Sequence, residues 1–244
     1  MRGQTDRIWI KTNMTLKILS GGAAASAVKG IEARFEQETG CAIDGTFSAV
    51  GEMRDQLLAG VPCDMVILTQ SLVAQLIASG HVQAGSARSL GLVYTSIAVR
   101  QGTQHPVVDT PVALAAALRQ ASAIYCPDTV KSTAGLHFMR VLNELGLADE
   151  VRARLREFPN GATAMKAMAQ CTEPGLIGCT QATEINYTPG VDLVANLPEK
   201  FALATDYTLG ICSQTQQPDL ARQLASWLTG LQSEAIRRQG GFAF

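Results

Sequence analysis

The apolar positions of this chain fall into short runs separated by polar corners that contain glycine. Leu16, Ile18 and Leu19 open a strand that stops at Ser20-Gly21-Gly22. Val28, Ile31 and Phe35 then recur at helical spacing as far as Gly40, and residues 42–47 read as a second strand. The loop Ser48-Ala49-Val50-Gly51 precedes a helix over 52–59, ended by Gly60. Residues 64–68 are apolar throughout after Asp64, as a strand buried on both faces must be, and a helix over 71–79 ends at Gly80. Strand and helix alternating at this period predict βαβ units and a parallel sheet.

The second half repeats the pattern. A long β-branched run covers 92–99, and a helix over 111–120 carries Pro111 in its first turn, where the missing N–H costs nothing. A strand over 123–126 leads through the polar loop 128–133 to helices over 134–145 and 149–156. The loop Asn160-Gly161-Ala162-Thr163 opens a helix through residue 169. Strands follow at 175–180, 191–197 and 201–212, then helices at 219–231 and 233–239.

The runs 92–99 and 201–212 exceed the ordinary strand length of about 5–6 residues, so they are expected to cross between two lobes. The fold class expected is α/β, with two lobes of mixed, mostly parallel sheet flanked by helices and a cleft between them. Residues 14–93 plus 206–244 would form lobe 1 and residues 94–205 lobe 2, with the hinge near 92–99 and 201–212. Residues 1–13 read as a disordered extension. Ligands of such sheets bind at the C-terminal ends of the parallel strands.

Composition narrows the functions available. The chain has 244 residues, 47% hydrophobic and 17% charged, enough to bury one large core or two small ones. Its 20 basic and 21 acidic side chains give a net charge of -1, which argues against a nucleic-acid partner held through phosphates. No apolar run reaches the roughly 20 residues of a membrane helix, so membrane insertion is not expected. The six cysteines form no CxxC and read as small buried hydrophobes. Residues 1–13 have no apolar secretory core, which places the chain as written in the cytoplasm and speaks against a transporter partner. Neither a metal site nor a cofactor is expected: three histidines are too few and too scattered, and no dinucleotide or phosphate-loop fingerprint is complete.

Four corners carry the candidate chemistry: Ser20-Gly21-Gly22-Ala23, Ser48-Ala49-Val50-Gly51, Lys131-Ser132-Thr133-Ala134-Gly135 and Asn160-Gly161-Ala162-Thr163. Small residues let a ligand approach the backbone, first-turn N–H groups favour negative charge, and hydroxyls add donors. Ordinary helix capping uses the same residue types. The ligand set expected is Gly21, Gly22, Ala23, Ser48, Val50, Gly51, Ser132, Thr133, Ala134, Ala162, Thr163 and Gln181, around a small anionic ligand. Glu184, His137 and Lys131 are the candidates for proton transfer.

At these corners the chain resembles the molybdate-binding periplasmic proteins of ABC transporters. The resemblance runs from about residue 16 to 241 and is carried by residues 16–35, by Phe47 to Leu58 with Ser48 and Gly51, and by Ala59-Gly60-Val61-Pro62-Cys63-Asp64. It implies a type II periplasmic-binding-protein fold with an anion in the cleft. Ser48 matches a ligand serine of that family, and the helix starts near Ser132–Ala134 and Ala162–Thr163 match its second-lobe backbone donors. Two positions differ: Ala23 stands where the family has a ligand serine, and Gln181 where it has a ligand tyrosine. Aconitate isomerase is similar to the same group. Capture of a small oxyanion or carboxylate is therefore the first expectation. Isomerisation of a small unsaturated di- or tricarboxylate is the alternative, and a ligand-sensing module the third.

Overall fold

The computed structural model describes residues 14–244; the extension expected over 1–13 lies outside the described residues. β1 (Met14–Gly21), α1 (Ala25–Thr39), β2 (Cys41–Ser48), α2 (Val50–Leu58), β3 (Met65–Thr69) and α3 (Gln70–Ala78) follow the expected order. β4 (Arg88–Arg100) has 13 residues. Beyond it lie α4 (Pro111–Gln120), β5 (Ala123–Pro127), α5 (Thr133–Glu144), α6 (Ala148–Val151), β6 (Leu155–Phe158), α7 (Gly161–Gln170) and β7 (Leu176–Gln181). The chain ends with α8 (Ala182–Tyr187), β8 (Val191–Asn196), β9 (Ala204–Ile211), α9 (Pro218–Thr229) and α10 (Leu231–Gly240).

The strands run in the order β2-β1-β3-β9-β4-β7-β5-β6, with β8 also on β4. β2, β1 and β3 are parallel, as are β7, β5 and β6, while β9 and β4 run antiparallel to their neighbours. β4 pairs with β9 from Arg88 to Tyr94, then with β7 from Thr95 to Ala98. One strand thus joins the two halves of the sheet, and β9 lies beside it at the junction.

The apolar core divides at that junction. One cluster collects Leu16 to Val93 with Ala182 and Tyr207 to Phe242. Two others draw on Ile97 to Phe201, one around Phe138 and one around Met165. Phe35 is fully buried and meets Trp227 edge-on at 5.4 Å, so truncating it to alanine would cost about 3–5 kcal/mol.

Three stretches differ from expectation. The helix expected over 149–156 is the single turn α6, a 3-10 turn Arg152–Arg154, and then strand β6. Leu155 to Phe158 instead pair in parallel with β5, completing the sheet edge. The Arg154 guanidinium donates to the carbonyls of Leu118, Arg119 and Ala121 at the end of α4, which fixes the turn that starts β6. The strand expected over 201–212 is shorter: Glu199–Phe201 form a 3-10 turn, and β9 begins at Ala204. α8 follows β7 with no break and was not expected. Among the described residues no helix is long and apolar enough to cross a membrane.

Candidate functional site

The four corners lie where parallel strands end and helices begin. The first is a 3-10 turn, Gly22–Ala24, between β1 and α1, with Ala23 buried. A Cβ on Gly21 would stand 2.7 Å from Val50 Cγ1 and 3.0 Å from the Tyr207 ring, so this glycine is required for β1 to end against both. The second corner starts α2, and its Gly51 N–H donates to the Lys131 carbonyl at 3.3 Å. That bond ties the second corner to the third. Ala134 is buried in the first turn of α5, and the Ser132 hydroxyl caps that helix by accepting from the Gly135 N–H at 3.5 Å.

At the fourth corner Asn160 takes the capping role. Its Oδ1 accepts from both the N–H and the hydroxyl of Thr163, at 2.8 and 2.9 Å, so neither Thr163 donor is free for a ligand. The Ser48 hydroxyl is committed as well, donating to Glu52 Oε2 at 2.6 Å. Ser48 retains only lone pairs, and the acceptor oxygens of an anion need protons.

Glu184 is the centre of the arrangement. It is only 6% exposed, on α8, yet its carboxylate reaches both sides of the cleft. A Cβ on Gly22 from the first corner, or on Gly161 from the fourth, would overlap that carboxylate. Burial pushes the Glu184 carboxyl above the usual carboxylate range. The Thr180 hydroxyl, donating to Oε2 at 2.6 Å, and the backbone N–H groups of Ala162, Gln181 and Gly161 oppose that rise. The first turn of α7 therefore holds the protein's own carboxyl group.

A second group gathers at α5. Tyr207, buried on β9, places its hydroxyl beside Gln181 and Thr133. Burial, and then the nearby Glu184, push the phenol well above its ordinary range, so it remains a neutral donor. The Gln181 side chain is 2% exposed, and neither its amide nitrogen nor its amide oxygen has a partner.

The structure thus brings together Gly21, Gly22, Val50, Gly51, Thr133, Ala162, Gln181 and Glu184. His137 is elsewhere: its Nε2 donates to the Phe201 carbonyl at 2.7 Å. It lies one turn beyond Thr133 on a helix that starts at the cleft, so it is carried away from it. The exposed Lys131 side chain lines a cavity of about 400 Å³ at the rim with Glu52, Asp128 and Glu157, among carboxylates rather than facing Gln181. Tyr207 and Thr180 were missed. The run Thr205-Asp206-Tyr207-Thr208, polar in the middle of a buried strand, was the signal for the former. Among the described residues no three His, Cys, Asp or Glu side chains cluster as metal ligands.

Residues 16–243 match the bacterial extracellular solute-binding protein family. The chain belongs to that family. An aconitate isomerase from a Pseudomonas species is 28% identical to it over 225 residues, 88% of this chain and 82% of that protein. The periplasmic molybdate-binding protein of Azotobacter vinelandii has the same fold, with a TM-score of 0.77 at 18% identity, covering 94% of this chain and 99% of that one. The sulfate-binding protein of Mycobacterium tuberculosis gives 0.71 at 14% identity, covering 94% and 86%. The two-lobed α/β fold expected from sequence is thereby established, and this family member is a solute-binding protein by descent.

Proposed function

We propose that this solute-binding family member takes a small di- or tricarboxylate into the cleft and shifts an allylic proton on it, with Glu184 as the proton carrier. We take the lobes to be residues 14–93 plus 206–244 and residues 94–205, closing on the ligand about β4 and β9. The single observation that carries the reading is a buried carboxyl group, its proton affinity raised, pinned between glycines from opposite sides of the cleft. A protein that only captures an anion gains nothing from a carboxylate there, because like charges repel.

The chemistry needs one group that takes and returns a proton. Glu184 removes a proton from a methylene carbon beside a carboxylate. The C–H electron pair forms the new double bond as the old one opens, and the negative charge spreads into a conjugated carboxylate. The same carboxylic acid then protonates the far carbon, so the double bond has moved and no atom is lost. On aconitate this interconverts the cis and trans acids. Thr133, Tyr207 and the first-turn N–H groups of α2 and α5 hold carboxylates by hydrogen bonds, which suits a chain of net charge -1. The 28% identity to an aconitate isomerase supports the substrate class.

NMR of trans-aconitate in deuterated water tests this. Wild type is expected to incorporate deuterium and move the double bond, and Glu184→Gln to slow both by about 10²-fold or more. Absence of exchange with wild type on either aconitate isomer would remove the isomerase. Family membership favours a second reading, solute capture without turnover. A thermal-shift panel of molybdate, tungstate, sulfate, citrate and both aconitates separates the two: a raised melting temperature without exchange selects capture.

A further inference from the structure

Three strands meet where the lobes join, and four polar side chains share one face there. Gln181 on β7 opposes Thr95 on β4. Thr205 on β9 opposes Val93, the next residue of β4 on Thr95's face, and Tyr207 opposes Gly91 beyond it. Opposed residues of an antiparallel pair lie on the same face, as do alternate residues along a strand. Gln181, Thr95, Thr205 and Tyr207 therefore line one surface, running from β7 across β4 to β9.

That surface is buried: Val93 on it is apolar, the Tyr207 hydroxyl stands beside Gln181 and Thr133, and the other three polar side chains carry unpaired atoms. Thr95 is 1% exposed, Gln181 2% and Thr205 8%. Both Gln181 amide atoms, Thr95 Oγ1 and Thr205 Oγ1 lack any hydrogen-bond partner. Buried polar atoms are nearly always paired, and each exception asks for an explanation. Valine has the shape of threonine without the hydroxyl, so folding alone would favour it at both threonine positions.

We propose that Gln181, Thr95 and Thr205 form a second subsite, which receives a carboxyl group of the substrate remote from the carbon that exchanges its proton. The inference rests on the carboxylate reading given above and names residues that reading does not require. The two threonine hydroxyls and the Gln181 amide N–H groups are the donors. The Gln181 amide faces the Tyr207 hydroxyl, the remaining donor of this surface. Strands lie about 4.8 Å apart, so the surface from Gln181 to Thr205 spans about 10 Å, far wider than a tetrahedral oxyanion. It suits an extended polycarboxylate, and it makes these three side chains the ones that discriminate such acids from compact anions.

Thr95→Val and Thr205→Val, separately and together, test the assignment. Calorimetric titration with trans-aconitate gives affinity, and thermal unfolding without ligand gives stability. The double variant should bind trans-aconitate at least about tenfold more weakly and unfold at the wild-type temperature or above it, because unpaired hydroxyls have been removed. A loss of less than about threefold overturns the subsite. So does a lowered unfolding temperature, which would mean that the hydroxyls serve the fold. If wild type binds no carboxylate at all, the carboxylate reading itself falls and takes the subsite with it.

Discussion

Replacing Gly22 by alanine puts one methyl group where the lobes meet over Glu184, and the sign of the effect separates two accounts of this glycine. Gly22 does not adopt a positive φ, so alanine meets no backbone strain. On chain entropy alone, Gly22→Ala would stabilise the protein by about 0.4–1 kcal/mol. The new Cβ would, however, overlap Glu184 Oε1 and lie 3.4 Å from Glu184 Cδ and 3.9 Å from Asn160 Cβ. The carboxylate cannot simply swing away, because it is buried and the Thr180 hydroxyl donates to its Oε2 at 2.6 Å. Forcing a methyl into such a site costs about 1–3 kcal/mol, so a net loss of about 1–2 kcal/mol is expected. In a chain of this size that lowers the melting temperature by about 2–8 °C. Denaturant unfolding of wild type, Gly22→Ala, Glu184→Ala and the double variant closes a cycle, whose coupling should equal the overlap, about 1–3 kcal/mol. If Gly22→Ala proves stabilising, or if the coupling vanishes, Glu184 does not sit against Gly22 and the proposed proton carrier is misplaced.

The remaining predictions concern charge, burial and thiols. Because folding raises the Glu184 pKa, its contribution to stability is full below about pH 4.3 and is lost as pH rises through the folded pKa. Glu184→Gln should remove that downward slope, and denaturant unfolding at a series of pH values above 4 would show it; parallel curves for the two proteins would argue against it. Arg237, 3% exposed, donates to the carbonyls of Leu90, Thr229 and Gly230 and to the Ser233 hydroxyl, which joins α10 to β4 and α9. Arg237→Met should cost about 3 kcal/mol, and Arg237→Lys should not restore it, since an ammonium cannot reach four acceptors spread in a plane; urea melts measure both. Cys212 beside Cys63 lowers the Cys63 thiol, whereas burial pushes up Cys41, Cys126 and Cys179. Iodoacetamide at neutral pH, read by peptide mass, should label Cys63 before those three, and earlier labelling of Cys126 or Cys179 would contradict the order.

What the sequence made legible was local. The corners at Gly21-Gly22 and Gly161-Ala162 stood out because strand ends, glycines and helix starts leave marks within a few residues of each other. β6 was hidden because four residues carry too little periodicity to compete with the helical pattern running into them. α8 was hidden because no breaker separates it from β7. His137 and Lys131 were placed at the cleft by their distance from Thr133 along the chain, whereas the direction of α5 and the outward turn of the loop decide where they point. Tyr207, Thr95 and Thr205 are joined to Gln181 through strand register, across separations far longer than any local pattern, and no local pattern encodes register.

The first turn of α7 shows how a cleft built from neutral donors can acquire proton chemistry. A helix N-terminus favours whichever negative group is delivered to it, ligand or side chain. Here two protein groups arrive there: Asn160 occupies the Thr163 donors, and the Glu184 carboxylate takes the N–H groups of Gly161 and Ala162. In the proposed reading an anion entering the cleft would find that corner filled and lie toward α5, Tyr207 and the Gln181 amide. The same helix N-terminus that tempers the Glu184 pKa also fixes the position of its carboxyl group. Burial keeps its pKa raised, so it can hold a proton as well as take one. Under the proposed isomerisation a single side chain, Glu184, would displace the ligand from one corner and supply what capture lacks, a group able to lend and recover a proton.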